Sequence, residues 1–126
     1  MKKVLVIEDN RDNLRLVKYA LERAGYTVLS AERGEEGITI AERELPFFIL
    51  MDINLPGIDG IETTKRIRAS ENDGEIPIIA ITSYAMIGDR PRILAAGCNG
   101  YIEKPIDPLT IVEQIHQIIA TCAERK

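Results

Sequence analysis

The feature that most constrains the fold is an alternation, made five times along the chain, between short apolar runs rich in branched residues and longer stretches with helical spacing. Lys3-Val-Leu-Val-Ile-Glu8 is a continuous run that ends abruptly on acids, the pattern of a strand buried on both faces. From about Asp12 to Ala24, Leu14, Val17, Leu21 and Ala24 recur at helical spacing among charged residues, and Gly25 supplies the stop. Strand, helix, strand, helix and strand then follow over Thr27 to Ala31, Glu35 to Glu44, Phe47 to Asp52, Gly60 to Ser70 and Ile76 to Thr82. A fourth helix fits between about Gly88 and Ala96, a fifth strand over Asn99 to Ile102, and Pro108 introduces a last helix through Cys122.

Strands separated by helices pair in parallel, because the chain must cross over to begin each strand at the same end. The expected fold is therefore α/β: a doubly wound, five-stranded parallel sheet with five helices, flavodoxin-like, in strand order 2-1-3-4-5. A chain of 126 residues, 45% of them hydrophobic, holds one core and is too short for two ordinary domains, so residues 1–126 are read as one domain.

Several functional classes are disfavoured at once. The longest apolar runs, Phe47 to Met51 and Ile76 to Ile81, stop well short of a membrane span, so a soluble, cytoplasmic protein is expected. The net charge of -4 and the lack of a basic stripe interleaved with aromatics argue against direct nucleic-acid binding, leaving proteins as the expected partners. Cys98 and Cys122 are far apart in sequence and too few for a disulfide framework or a metal site, so both are read as reduced structural thiols.

In doubly wound folds ligands sit outside the carboxyl ends of the strands. There the first strand closes on Glu8-Asp9, the third on Asp52 and the fourth on Thr82, and the fifth is followed at once by Lys104-Pro105. Any one acid at a strand end is ordinarily a solvated loop residue; agreement among several strand ends is what weakens that reading. Two unit charges about 4 Å apart repel by about 4 kcal/mol at an effective dielectric of about 20, so three gathered carboxylates need compensation. Lys104 supplies one positive charge, which leaves Glu8, Asp9, Asp52 and Lys104 at a formal sum of -2, the charge that a hard divalent ion such as Mg²⁺ cancels. With that cation in place, an Asp52 oxygen is positioned to attack phosphorus while Lys104 holds the phosphoryl oxygens and Thr82 adds a hydroxyl donor. Lys104-Pro105 reads either as a plain turn or as a cis bend that aims Lys104 inward.

Glu8-Asp9, Met51-Asp52 followed by Leu55-Pro56-Gly57 and Asp59-Gly60, Thr82-Ser83, and Tyr101-Ile-Glu-Lys104-Pro105 together resemble the CheY-like receiver domains of two-component response regulators. The resemblance covers essentially the whole chain. It implies that Asp52 is the phosphoacceptor, taking its phosphoryl group from a sensor histidine kinase or a histidine phosphotransfer protein. It also implies that Asp9, Asp52 and the backbone carbonyl of Asn54 ligate Mg²⁺, with Glu8 reaching the ion through water, and that Thr82 and Lys104 bind the phosphoryl group. Thr82 would be coupled to a mobile aromatic at Tyr101, although ordinary half-buried strand packing is the bland alternative for that residue. A downstream protein target would read the fourth helix, fifth strand and fifth helix, with Arg90, Arg92, Tyr101 and Glu103 as surface contacts. Leu14 and Lys18 are the guesses for a kinase contact.

Only Thr121 to Lys126 lie beyond the apolar pattern of the last helix, so no output domain is expected and a stand-alone receiver is favoured; a receiver fragment of a hybrid kinase would look the same. A Mg²⁺-dependent aspartyl-nucleophile phosphohydrolase would place a general acid two residues after the nucleophile, where this chain has Asn54, so no turnover on external substrates is expected. A nucleotide binder would need a Gly-rich phosphate loop where this chain has Asp9-Asn10-Arg11-Asp12.

Three departures from the pattern stand out, at Phe47, at Gly37 with Thr39 and at Pro91, and His116 takes a reading of its own. Phe47 replaces an Asp common in receivers, and added core packing is the favoured reading over a surface patch. Gly37 and Thr39 should weaken the second helix, since Gly costs about 1 kcal/mol relative to Ala. Pro91 is tolerated only in a first turn, so the fourth helix should begin near Asp89. His116 is read as a solvated helix residue rather than a phosphodonor.

Overall fold

The computed structural model describes residues 2–70, 76–83 and 89–124. Its elements run β1 (Lys3–Ile7), α1 (Arg11–Arg23), β2 (Thr27–Ala31), α2 (Gly34–Glu44), β3 (Ile49–Asp52), α3 (Gly60–Ser70), β4 (Ile78–Thr82), α4 (Asp89–Ala96), β5 (Gly100–Glu103) and α5 (Ile111–Glu124). The strands form one parallel sheet in the order β2-β1-β3-β4-β5, as expected. Among the described residues no helix is long and apolar enough to cross a membrane.

Side chains that alternate along each strand build two cores, one on each face. Val4, Val6, Leu50, Ile79, Ile81 and Ile102 pack with Val17 and Leu21 of α1 and Ile111 and Ile115 of α5. Leu5, Ile7, Ile49, Met51, Ile78 and Ala80 pack with Ala41 of α2, Ile67 of α3 and Ile93 of α4. This two-sided burial is why the strands read as unbroken apolar runs rather than as alternating ones.

Helix boundaries follow local chemistry. Asn10 caps α1 by accepting the Asn13 N–H at 3.0 Å, and Gly25, with φ 98°, supplies the left-handed turn after it. Pro91 falls in the first turn of α4, as expected, while Gly88 lies outside the described residues. The last helix starts later than Pro108 suggests. The Asp107 carbonyl accepts the N–H groups of Thr110 and Ile111, and its carboxylate accepts that of Leu109, so residues 108–110 form a turn ahead of α5.

Three side-chain expectations change. Phe47 is 40% exposed, stacked 6.5 Å from Tyr26 with Lys2 Nζ 4.0 Å from its ring, while Phe48 takes the core position. Phe48 directly precedes β3 and joins the core of Leu50, while Phe47, one residue further from the strand, rests on Tyr26 and Lys2 at the surface. Gly37 is a packing residue: a Cβ there would meet Ile7 Cγ1 at 2.8 Å, so its missing side chain lets α2 lie close on β1. His116 is exposed as expected, but its Nε2 lies 2.7 Å from the Tyr26 hydroxyl, joining α5 to the start of β2. Leu14, half-buried against the core, is a poorer candidate for a kinase contact than exposed Lys18. Cys98 is buried and Cys122 partly so, and both are free thiols.

Candidate functional site

Strand register assembles the site. Ile7 pairs with Met51, so the next residues, Glu8 and Asp52, leave adjacent strands side by side. Asp52 in turn pairs with Ile81, one residue before Thr82. Thr82 pairs with Glu103, and its carbonyl accepts the Lys104 N–H at 2.8 Å, which carries Lys104 to the same rim. Adjacent pairing thus converts four sequence-distant strand ends into neighbours.

Glu8, Asp52 and Thr82 are almost wholly buried, whereas Asp9 is exposed. Lys104 Nζ donates to Asp52 Oδ2 at 2.9 Å and stands 4.0 Å from Glu8 Oε1. The Asn54 N–H donates to Asp52 Oδ1 at 3.0 Å, so each Asp52 oxygen has its own donor. The Asn10 N–H donates to Glu8 Oε2 at 3.3 Å, which makes the α1 cap residue part of the site, a role its N-cap position alone did not signal. The Lys104–Pro105 peptide bond is cis.

Electrostatics separates the two buried carboxyls. Burial, and then the Asp52 carboxylate alongside, pushes Glu8 up to about 8. Burial also pushes Asp52 upward, but contacts with Glu8, Lys104 and the Asn54 N–H outweigh it and hold Asp52 below the usual carboxylate range. Asp52 is therefore the carboxyl of the pair that these contacts hold ionised and oriented, and Glu8 the one that burial inclines to keep its proton near neutral pH.

The donor set fits a hard divalent cation. Ligand atoms of Glu8, Asp9 and Asp52 all lie within 4.8 Å of one another. Glu8 Oε1 is buried with no hydrogen-bond partner among the described residues, an atom in need of a positive neighbour. Oxygen ligands in such a cluster suit Mg²⁺ or Ca²⁺ better than a soft metal.

A cleft of about 120 Å³ beside this rim is lined by Asn54, Asp59, Thr82 and Arg92. Arg92, expected on the output surface, is exposed there and, directly before the core residue Ile93 on α4, also lines this cleft with Thr82. Tyr101 pairs with Ala80, two residues before Thr82, so Tyr101 and Thr82 face the same side of the sheet. Its half-buried ring packs against the core on that side, and the exposed Arg90 guanidinium lies over it at 5.3 Å.

Comparison with known proteins gives one answer. The profile of the response regulator receiver domain matches residues 4–116. Polar-differentiation response regulators DivK of Brucella ovis and Brucella abortus are 40% identical over 114 residues, covering 90% of this chain and 93% of theirs. The receiver domain of sensor histidine kinase PA1611 from Pseudomonas aeruginosa, solved with a magnesium ion in its active site cleft, superposes with a TM-score of 0.85 at 37% identity over 94% of this chain and 98% of that one. Chemotaxis protein CheY4 of Vibrio cholerae superposes with a TM-score of 0.88 at 28% identity, over the same shares.

Proposed function

The chain belongs to the response regulator receiver family, the phosphorylated module of two-component signalling, and we propose that Asp52 is its phosphoacceptor. The observation that carries this reading is the state of Asp52: buried, ionised, and held by one donor on each oxygen.

A phosphoryl group arrives from the phosphohistidine of a sensor histidine kinase or a histidine phosphotransfer protein. The Asp52 oxygen bonds to phosphorus as the nitrogen–phosphorus bond of the donor breaks, and the imidazole leaves with the bonding pair. Lys104, released from Asp52 as that oxygen loses its charge, moves its ammonium to the phosphoryl oxygens, and the Thr82 hydroxyl donates to another. Asp9, Asp52 and the Asn54 carbonyl would hold Mg²⁺, with Glu8 reaching it through water, and the magnesium in the solved PA1611 receiver supports that assignment. When bound, the ion supplies the positive charge that the carboxylates and phosphoryl oxygens require.

Acyl phosphate formation adds roughly one negative charge at the rim, which draws Thr82 and lets Tyr101 turn toward it. The face of α4, β5 and α5 then differs between the two states, and a protein target reads the difference through unequal affinity. The protein acts in the cytoplasm by protein contacts, without turnover of external substrates and without binding nucleic acid.

The direct test is incubation with acetyl phosphate and Mg²⁺ followed by intact mass. A Mg²⁺-dependent phosphate adduct is expected on the parent and none on Asp52→Asn; equal labelling of both sinks the assignment. Continuous phosphate release from a small phosphomonoester would instead favour an enzyme.

A further inference from the structure

The first turn of α4 is held to the sheet by little apolar surface. Arg90, Pro91 and Arg92 are exposed, and the buried anchors of the helix, Ile93 and Ala96, come later. This turn meets β5 through the Arg90 guanidinium, which lies over the face of the Tyr101 ring at 5.3 Å. That distance lies within the range at which a cation is attracted to an aromatic face. Pro91 follows Arg90 directly and fixes its own backbone φ, so the turn presents Arg90 in a restricted direction.

Tyr101 also borders, at the outer edge of the sheet, an open groove of about 360 Å³ whose lining includes Asn99, Gln114 and Gln117, while its ring packs on the α4 side of β5. The smaller cleft beside Thr82 is lined by Ile93 and Arg92 of α4. A ring that turned toward Thr82 would give up its present stack with Arg90.

We propose that Arg90 is a latch on Tyr101: its guanidinium stabilises the ring in its present stacked position, so Arg90 sets how much of the unphosphorylated protein already holds the ring in the signalling position. This rests on Tyr101 being the aromatic that responds to phosphorylation. An exposed cation–aromatic contact of ordinary strength changes the ratio of the two ring positions by about two- to fivefold. The latch opposes signalling in the resting state and is overcome when the acyl phosphate draws Thr82. Arg90 touches neither the phosphoryl group nor the cation cluster in this geometry and acts only through Tyr101.

The experiment is fluorine NMR of the full chain labelled with 3-fluorotyrosine, the Tyr101 signal being assigned with Tyr101→Phe. Parent, Arg90→Gln and Arg90→Lys are each recorded without additions and with Mg²⁺ plus beryllofluoride as the phosphoryl mimic. In the resting state Arg90→Gln is expected to move the Tyr101 signal toward its beryllofluoride position, by a population ratio changed about two- to fivefold, with Arg90→Lys nearer the parent. A resting Arg90→Gln signal at the parent position, while beryllofluoride still moves the parent, overturns the latch alone. A parent Tyr101 signal that beryllofluoride does not move overturns the switch reading and the latch with it.

Discussion

Lys104 Nζ sits 2.9 Å from Asp52 Oδ2 and 4.0 Å from Glu8 Oε1, so one ammonium faces two buried carboxyls that adjacent strands deliver side by side. Its charge keeps Asp52 ionised in the absence of metal and is already in place for an incoming phosphoryl group.

Lys104→Met removes the donor to Asp52 Oδ2 and leaves a buried carboxylate oxygen unpaired. The metal-free protein should lose about 1–3 kcal/mol in urea denaturation, and saturating Mg²⁺ should recover part of the loss. Unchanged midpoints in both conditions would contradict the pairing.

The raised pKa of Glu8 gives the metal-free protein a specific pH dependence. Between the ordinary value of 4.5 and about 8 the folded chain keeps a proton that the unfolded chain has released, so this group's contribution to stability falls as pH rises through that window. Asp52 acts in the opposite sense at lower pH: its depressed pKa contributes stability that is lost as pH falls below the usual carboxylate range. Denaturation midpoints of the parent in a chelator should therefore decline with pH relative to Glu8→Gln. The same comparison in Mg²⁺ should be flatter, because the cation favours ionised Glu8. Parallel curves for parent and variant in the chelator would refute the account.

Gly60 lies at the start of α3 against the end of β3. An added Cβ would meet the Asp52 carbonyl oxygen at 2.7 Å and the Ile53 Cα at 2.7 Å, both backbone atoms that cannot rotate away. Gly60→Ala should cost about 1–3 kcal/mol and also slow labelling by acetyl phosphate, because relief of the clash displaces Asp52. Normal labelling in a destabilised variant would show that α3 alone absorbs the clash.

Phe47 and Phe48 are adjacent but unequal. Phe48→Ala should destabilise by about 3–5 kcal/mol, as for a fully buried ring. Phe47→Ala should cost about 1 kcal/mol, since it removes a partly exposed ring and its contacts with Tyr26, Phe48 and Lys2. Equal losses in thermal or urea melts would return Phe47 to the core.

Pro91 in the first turn of α4 restricts how that turn can repack. Pro91→Glu should enlarge the beryllofluoride-induced amide shifts of α4 in NMR spectra, and shifts equal to those of the parent would remove Pro91 from the switching element.

The order of elements, the two-sided burial of the strands and the identity of Glu8, Asp9, Asp52, Thr82 and Lys104 as a rim cluster were all legible in the sequence. They depend on local pattern and on a topology that parallel pairing and short crossovers nearly dictate. The helix limits moved furthest at the entry to α5, where Asp107 competes with Pro108, and by no more than one or two residues elsewhere. The outward turn of Phe47 and the close approach allowed by Gly37 were not legible, nor were the Tyr26–His116 bond and the seating of Arg90 on Tyr101. Each is set by which face a residue presents to a distant segment, and by how much room that segment leaves. The opposed shifts of Glu8 and Asp52 belong with these: burial and the neighbouring Asp52 carboxylate raise Glu8, whereas contacts with Glu8, then Lys104 and the Asn54 N–H, outweigh burial at Asp52 and lower it.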